Sequence, residues 1–290
     1  MTARSSPTVL RRQLARVLRQ MRDVCDLTIE EVSSRLRELA PGSRWSPAKL
    51  SRIENAGQRA QPSEVEDLLD LYGVKGDERA TLIKMARQAR EPGWWQPYSD
   101  VLPDWFQAFV DIEGVTTSLH SYDAEFVPGL LQTEEYYRAV LAMDLATRPE
   151  NVEKQVKLRL ARQELLTRED GPQFWAILNE AVLRRPVGGA PVMRDQLHHL
   201  VKLAELGNVI LQVLHYGSRA HVAMDGSFEI MHFAEPNPDV VYLENMTSAL
   251  YLEQAADLDQ YKMAFGRLQE MALPPAKSVD FIAEVAAELT

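Results

Sequence analysis

Along the first part of the chain the apolar positions Leu10, Leu14, Val17, Leu18, Met21 and Cys25 recur at helical spacing, with Arg12, Arg16 and Arg19 off that stripe. This period predicts an amphipathic helix. Thr28-Ile-Glu-Glu31 reads as a capping box, the Thr28 hydroxyl taking the amide of Glu31 while the Glu31 carboxylate reaches back. It opens a second helix with Ile29, Val32, Leu36 and Leu39 inward and Pro41-Gly42 as its stop. Ser46-Pro47 opens a third, a serine cap and a proline in the first turn, burying Leu50 and Ile53 and ending at Gly57. A fourth is expected from Ser63, with Glu66 three residues on, to Tyr72-Gly73, and a fifth from Asp77 to the region of Arg90.

At Glu91-Pro-Gly-Trp-Trp-Gln-Pro97 the period stops, so a boundary is placed between residues 90 and 91. Beyond it the period alternates. Helices are predicted at 103–113, 134–145, 149–168, 191–206 and 258–271, with a last one capped by Ser278 and carrying Phe281, Ile282, Val285 and Leu289. Strands are predicted from residue 121, and at 173–178, 209–214, 228–233, 240–243 and 249–253, with hairpin-like spacing after residue 208. The expected architecture is a mainly α N-terminal helix-turn-helix domain of about five helices, residues 1–90, followed by an α+β domain, residues 91–290, with an antiparallel or mixed sheet.

Charge sharpens this division. The chain carries a net −10, but residues 1–90 hold 17 Lys+Arg against 12 Asp+Glu, leaving the remaining 200 residues at −15. A basic head on an acidic body directs any polyanion to the head. No stretch approaches the roughly 18 uninterrupted apolar residues of a membrane span. The N-terminal segment has no apolar run between its arginines, and the single cysteine, Cys25, fits a reducing compartment. These features predict a cytoplasmic protein without a membrane partner.

Leu27-Thr28, and Ser46-Pro-Ala-Lys-Leu-Ser-Arg-Ile-Glu-Asn-Ala-Gly57, resemble the xenobiotic-response-element (XRE) family of phage-repressor-like DNA-binding domains. The resemblance implies double-stranded DNA as partner, with the third helix in the major groove. Carried over by position, Pro47, Ala48, Lys49 and Arg52 face the bases, and Arg22 with Glu54 forms the family's buried pair between helices one and three. Ile29 stands where the family usually has a phosphate-contacting Gln. The turn between helices two and three is lengthened by Glu38-Leu-Ala-Pro-Gly-Ser-Arg44, offering Arg44 as a replacement phosphate contact. Thr28 and Arg12 complete the candidate DNA-facing set.

The body carries a second resemblance. Gly93-Trp-Trp, Val127-Pro-Gly-Leu-Leu-Gln-Thr133 with Tyr136-Tyr137, Leu160-Ala-Arg-Gln163, Glu180-Ala-Val-Leu-Arg-Arg-Pro-Val-Gly-Gly189, Leu211-Gln-Val213 and Val241-Tyr-Leu-Glu244 are similar to a group of actinobacterial, antitoxin-like transcriptional regulators. That group joins an XRE head to a C-terminal domain of unassigned chemistry, and the resemblance implies a small partner protein encoded nearby. Motif chemistry is thin. Adjacent His198 and His199 point about 100° apart on a helix and do not suit one metal. His215 and His221 lack companion cysteines or spaced carboxylates, and Gly188-Gly189 lacks the Lys-Ser/Thr of a phosphate loop. Glu180, Glu244 and Glu253 lie in or beside strands, where glutamates are usually solvated or paired. No metal, cofactor or catalytic residue is therefore expected.

The expected function is a sequence-specific DNA-binding transcriptional regulator, a homodimer whose body receives a small-molecule effector or a partner protein. Arg184, His221, Glu244 and Tyr251 are the candidate rim of a ligand pocket. The competing reading is an enzyme of unknown reaction carrying a DNA-targeting head.

Overall fold

The computed structural model describes residues 6–39, 44–235 and 237–289, and for Asp104 the backbone alone. Two compact units divide between Gln96 and Pro97.

The head is a cluster of five helices: α1 Pro7–Val24, α2 Ile29–Leu39, α3 Pro47–Glu54, α4 Pro62–Leu71 and α5 Gly76–Gln88. Leu18, Val32, Leu50, Val65 and Leu68, from α1 to α4, are fully buried and form its core with Leu82 and Ala86 of α5. The caps follow from side-chain chemistry. The Thr28 hydroxyl accepts the Glu31 amide at 3.2 Å while the Glu31 carboxylate accepts the Thr28 amide at 2.8 Å. The Ser46 hydroxyl accepts the Lys49 amide at 3.2 Å, with Pro47 in the first turn of α3. Two expectations shift. Helix α4 starts at Pro62, and its reciprocal contact joins the Gln61 amide to Glu64 at 2.7 Å rather than Ser63 to Glu66. Proline's fixed φ suits the first helical position, which pulls the start forward. Helix α3 is closed by Ala56 in the left-handed region (φ 55°), and the Gly57 amide then bonds the Arg52 carbonyl at 2.8 Å. The predicted stop at Pro41-Gly42 lies outside the described residues.

The body is built on one mixed six-stranded sheet, β1 Ser118–Asp123, β2 Gln173–Asn179, β3 Val209–Leu214, β4 Phe228–His232, β5 Val240–Glu244 and β6 Ala249–Leu252, in the order β3-β2-β1-β4-β5-β6. β1, β2 and β3 run parallel, because helical crossovers separate them: α7 Glu134–Met143 and α8 Val152–Thr167, then α9 Glu180–Arg184 and α10 Ala190–Leu203. β4, β5 and β6 are joined by short links and pair antiparallel, as the spacing after residue 208 predicts. Before the sheet comes α6 Asp104–Glu113; after it come α11 Ala255–Met271 and α12 Pro275–Glu288.

Strand alternation sorts the sheet into two faces. One carries His120, Tyr122, Ile177, Phe228, Ile230 and Val241 and packs under α11 through Leu258, Phe265 and Leu268. The other carries Ser121, Asp123, Glu229 and Tyr242, and α6 covers it where Phe109 meets Tyr242 at 4.4 Å between ring centres. Ser278 does not cap α12. It lies one turn inside the helix, fully buried, where its hydroxyl accepts the Val213 amide and donates to the Leu273 carbonyl, each at 3.0 Å. Pro275 in the first turn starts the helix instead. The outer edge of β3, otherwise open, is closed by this hydroxyl and by the Leu273 amide on the Val213 carbonyl at 2.9 Å.

Candidate nucleic-acid interface

Helix α3 is held from beneath. Glu54, 5% exposed, accepts the Arg22 Nε–H with both carboxylate oxygens at 2.9 and 3.0 Å, and Arg22 Nη1 donates to the Leu27 carbonyl at 2.8 Å. The hydrogen bond to Glu54 keeps the Arg22 pKa above its ordinary value despite partial burial. One guanidinium thereby ties α1, the turn before α2, and α3 together. The expected Arg22–Glu54 pair is present.

Above this anchor α3 presents a polar side. Ala48, Arg52 and Asn55 are exposed at i, i+4 and i+7, one helical face, and Pro47 is half-buried at its start. Arg52 Nε donates to Gln58 Oε1 at 3.2 Å. Asn55 Nδ2 donates to the Ser51 carbonyl at 2.9 Å. Lys49 behaves differently: Nζ lies 2.5 Å from Glu64 and 4.8 Å from the Trp45 ring centre, so its charge is tethered to α4 and its side chain is mostly covered. Arg44, just ahead of α3, and Thr28, opening α2, are exposed. Arg12 is half-buried on α1. Asn55 and Gln58 did not stand out as candidate contacts; the i, i+4, i+7 spacing from Ala48 was the available signal for Asn55, whereas Gln58 joins through the tertiary turn after Ala56.

In the body the four expected pocket residues are not gathered into one site. Arg184 is engaged by Glu180 at 2.5 Å and Glu288 at 2.6 Å. His221 lies beside the Tyr122 hydroxyl, 3.4 Å away, on the α11 side of the sheet. Glu244 accepts the Tyr242 hydroxyl at 2.8 Å, and Tyr251 donates to the Trp105 carbonyl at 2.8 Å, both on the α6 side. His221, on the loop between β3 and β4, lies against Tyr122, whose strand parity puts it on the face opposite Glu244 and Tyr251. Glu180 is a buried structural carboxylate that also accepts the Tyr216 amide at 2.7 Å.

Histidines that sequence separation hides do meet. Asp239 Oδ2 lies 2.9 Å from His232 Nδ1, and His232 Nε2 lies 3.2 Å from His120 Nδ1; His120 stacks on Phe265. Burial, then the neighbouring His232, lowers the His120 pKa to about 4, so this ring stays neutral near pH 7. Among the described residues no group of three or more His, Cys, Asp or Glu side chains is placed to hold a metal ion. None of the helices described is long and apolar enough to cross a membrane.

A five-helix head with a capped, pair-anchored third helix, followed by a mixed-sheet body, defines a two-part helix-turn-helix protein. Residues 13–82 match a helix-turn-helix domain family, and residues 106–284 match the family described as domain of unknown function DUF5753. The second match spans more than half of the chain, which belongs to the DUF5753 family. Neither a curated protein nor a solved structure matches it.

Proposed function

We propose that this protein is a sequence-specific DNA-binding transcriptional regulator of the cytoplasm, with α3 reading the major groove of double-stranded DNA. It is not an enzyme in this reading. The observation that carries it is the exposed face of α3, with Arg52 at its centre, on a helix locked by the Ser46 cap and the Arg22–Glu54 pair. A preorganised helix with a free polar face is what base recognition requires. Arg44 and Thr28 flank it as phosphate contacts, and Arg12 acts through its place on α1. Lys49 joins them by exchanging Glu64 for a phosphate. The XRE-like character of the head rests on the Ser46–Gly57 string, and the antitoxin-like grouping on the ordered body strings.

The body dimerises the heads, since repressor-like heads read paired half-sites. It also receives a signal, a metabolite or a small partner protein encoded nearby, that favours one head spacing over another.

The decisive test is a mobility-shift titration on the DNA upstream of the protein's own coding region. Arg52→Ala is expected to cost about 1–3 kcal/mol on the specific site and to relax preference at one base position. Equal losses on specific and random DNA would remove Arg52 from the base-reading set.

A further inference from the structure

Apolar side chains exposed singly are ordinary on a protein surface, whereas several gathered in one place mark a surface that something covers. The body gathers them at one end of its sheet. The loop between β3 and β4 enters β4 at Phe228, and Tyr242, opposite Glu229, leads through Glu244 into the β5–β6 hairpin at that same end. On the loop Val222 and Met224 are exposed, Met224 to 70%. At the hairpin Met246 is 94% exposed, and Leu250 is exposed on β6, the outermost strand.

Packing ties the two segments together. Ala223, between Val222 and Met224, is buried in the cluster that holds Phe228, Ile230 and Val241 of the sheet with Leu258 and Phe265 of α11. A buried residue between two exposed ones turns both of its neighbours outward. Leu250 pairs with Leu243, and Leu243 and Leu252 pack against the same cluster, so Leu250 lies on the α11 side of the sheet. Tyr261 of α11 meets Phe228 at 5.0 Å between ring centres. The loop, the hairpin strands and the first half of α11 thus share one core, with the exposed apolar residues along its solvent side.

The charges beside them are mostly of one sign. Asp225 follows Met224, Glu244 leads into the hairpin turn, and Asp257 and Asp259 lie in the first two turns of α11. Asp225, Asp257 and Asp259 have no cation within ion-pair reach among the described residues. Glu244 accepts the Tyr242 hydroxyl, a neutral donor that leaves its charge uncompensated. Of the nearby cations, Lys262 is committed to Asp239 at 2.6 Å, and Arg219, nearer β3, is the sole Lys or Arg of residues 215–227. Burial lowers the His221 pKa, so that ring adds no charge near pH 7.

We propose that this end of the body is a docking surface for a basic amphipathic helix of a partner protein. Its apolar stripe seats on Val222, Met224, Met246 and Leu250, and its lysines or arginines face Asp225, Glu244, Asp257 and Asp259. Such a helix carries apolar residues every three to four positions with cations on its flanks, the complement of apolar side chains rimmed by carboxylates. Methionine suits the task, because its unbranched, polarizable side chain moulds to the stripe it meets. An acidic helix or a nucleic acid meets like charge here.

The proposal rests on the reading of the body as a receiver for a partner protein, and the test separates the two. Full-length protein is titrated, by fluorescence anisotropy, into a labelled peptide of leucine and lysine at helical spacing. Two controls are run beside it: the same residues shuffled to abolish the stripe, and a version with glutamate for lysine. The patterned basic peptide is expected to bind with a Kd on the order of micromolar, at least tenfold tighter than either control. Met224→Ser combined with Met246→Ser, both at exposed positions where folding is spared, is expected to weaken it about tenfold. Asp225→Asn with Asp259→Asn should weaken it about threefold and reduce its sensitivity to salt.

No binding of the patterned peptide overturns the surface, as does equal binding of the shuffled one, which would show attraction by net charge alone. Unchanged affinity in the double methionine variant overturns it as well. Conversion of that variant to a monomer in light scattering would assign this face to a second copy of the chain and overturn the partner helix. DNA affinity is measured separately. Peptide binding that leaves it unchanged keeps the surface and removes the partner-protein receiver reading, whereas failure to bind leaves that reading to a small molecule.

Discussion

Asp123 ends β1 with Oδ2 closed off from solvent, and this burial lifts its pKa from 3.8 to about 7 against the opposing hydrogen bond of Ser121. The consequence for stability has a definite sign. Between these two values the unfolded chain has released the proton while the folded protein keeps it, so the folded state binds more protons and stability falls as pH rises. Asp123→Asn cannot titrate. It should therefore unfold with nearly wild-type stability at pH near 4 and gain about 2–4 kcal/mol over wild type by pH near 8, read by urea denaturation at each pH. A constant difference across this range would show that Asp123 is solvated and ionised in the folded protein. His120 acts in the opposite sense. Its depressed folded pKa makes its contribution present above 6.5 and lost as pH falls toward about 4. The Asp123 effect is thus best read as the difference between variant and parent at matched pH.

Among the elements, α12 depends on one hydroxyl. Ser278 supplies the Val213 amide with its acceptor at the outer edge of β3, and the Gln212 side chain adds bonds to the Gln269 and Leu273 carbonyls at 3.2 and 3.0 Å. Ser278→Ala leaves a buried amide without a partner, for an expected loss of about 1–3 kcal/mol. Ser278→Thr, which keeps the hydroxyl, tests whether the hydrogen bond or the space matters. Chemical denaturation with the two variants side by side checks this: equal losses would assign Ser278 to packing alone. The sequence pattern does not reveal this role, because a serine near a helix start reads as a cap until the preceding prolines are seen to set the start. The later strands were legible, whereas β1 runs Ser118–Asp123 and starts three residues before the expected Ser121. β3 lies where its run of apolar residues places it, Val209–Leu214, and the α3 and α6 helices agree closely with their caps and periods.

At the scale of the whole molecule the acidic body and basic head divide the labour that the proposed function requires. Neutralising phosphates releases counterions only where cations are gathered, so DNA binding should weaken steeply with salt. Multi-angle light scattering of the full chain at micromolar concentration is expected to give twice the monomer mass, with the logarithm of DNA affinity falling linearly with the logarithm of salt concentration. A monomer that still binds a single half-site with full affinity would refute the dimer reading. The chain divides into two compact units between Gln96 and Pro97, six residues beyond the expected boundary after residue 90.

Local chemistry was written in the sequence: the Thr28 and Ser46 caps, the order of helices and strands, and the Arg22–Glu54 pair through the resemblance of the head. The caps depend on neighbours a few residues apart and the pair on the resemblance of the head, so they can be read without coordinates. The choice of sheet order, the parallel placing of β1 to β3, the two faces of the sheet and the meetings across them depended on tertiary structure. His120 reaches His232, and Ser121 reaches Glu229, across more than one hundred residues of chain. Which residue faces which is set by strand register, where a shift of one residue turns every side chain to the opposite face. That parity set His120 and Tyr122 on one face of the sheet and Ser121, Asp123 and Glu229 on the other, an arrangement that no short motif announces.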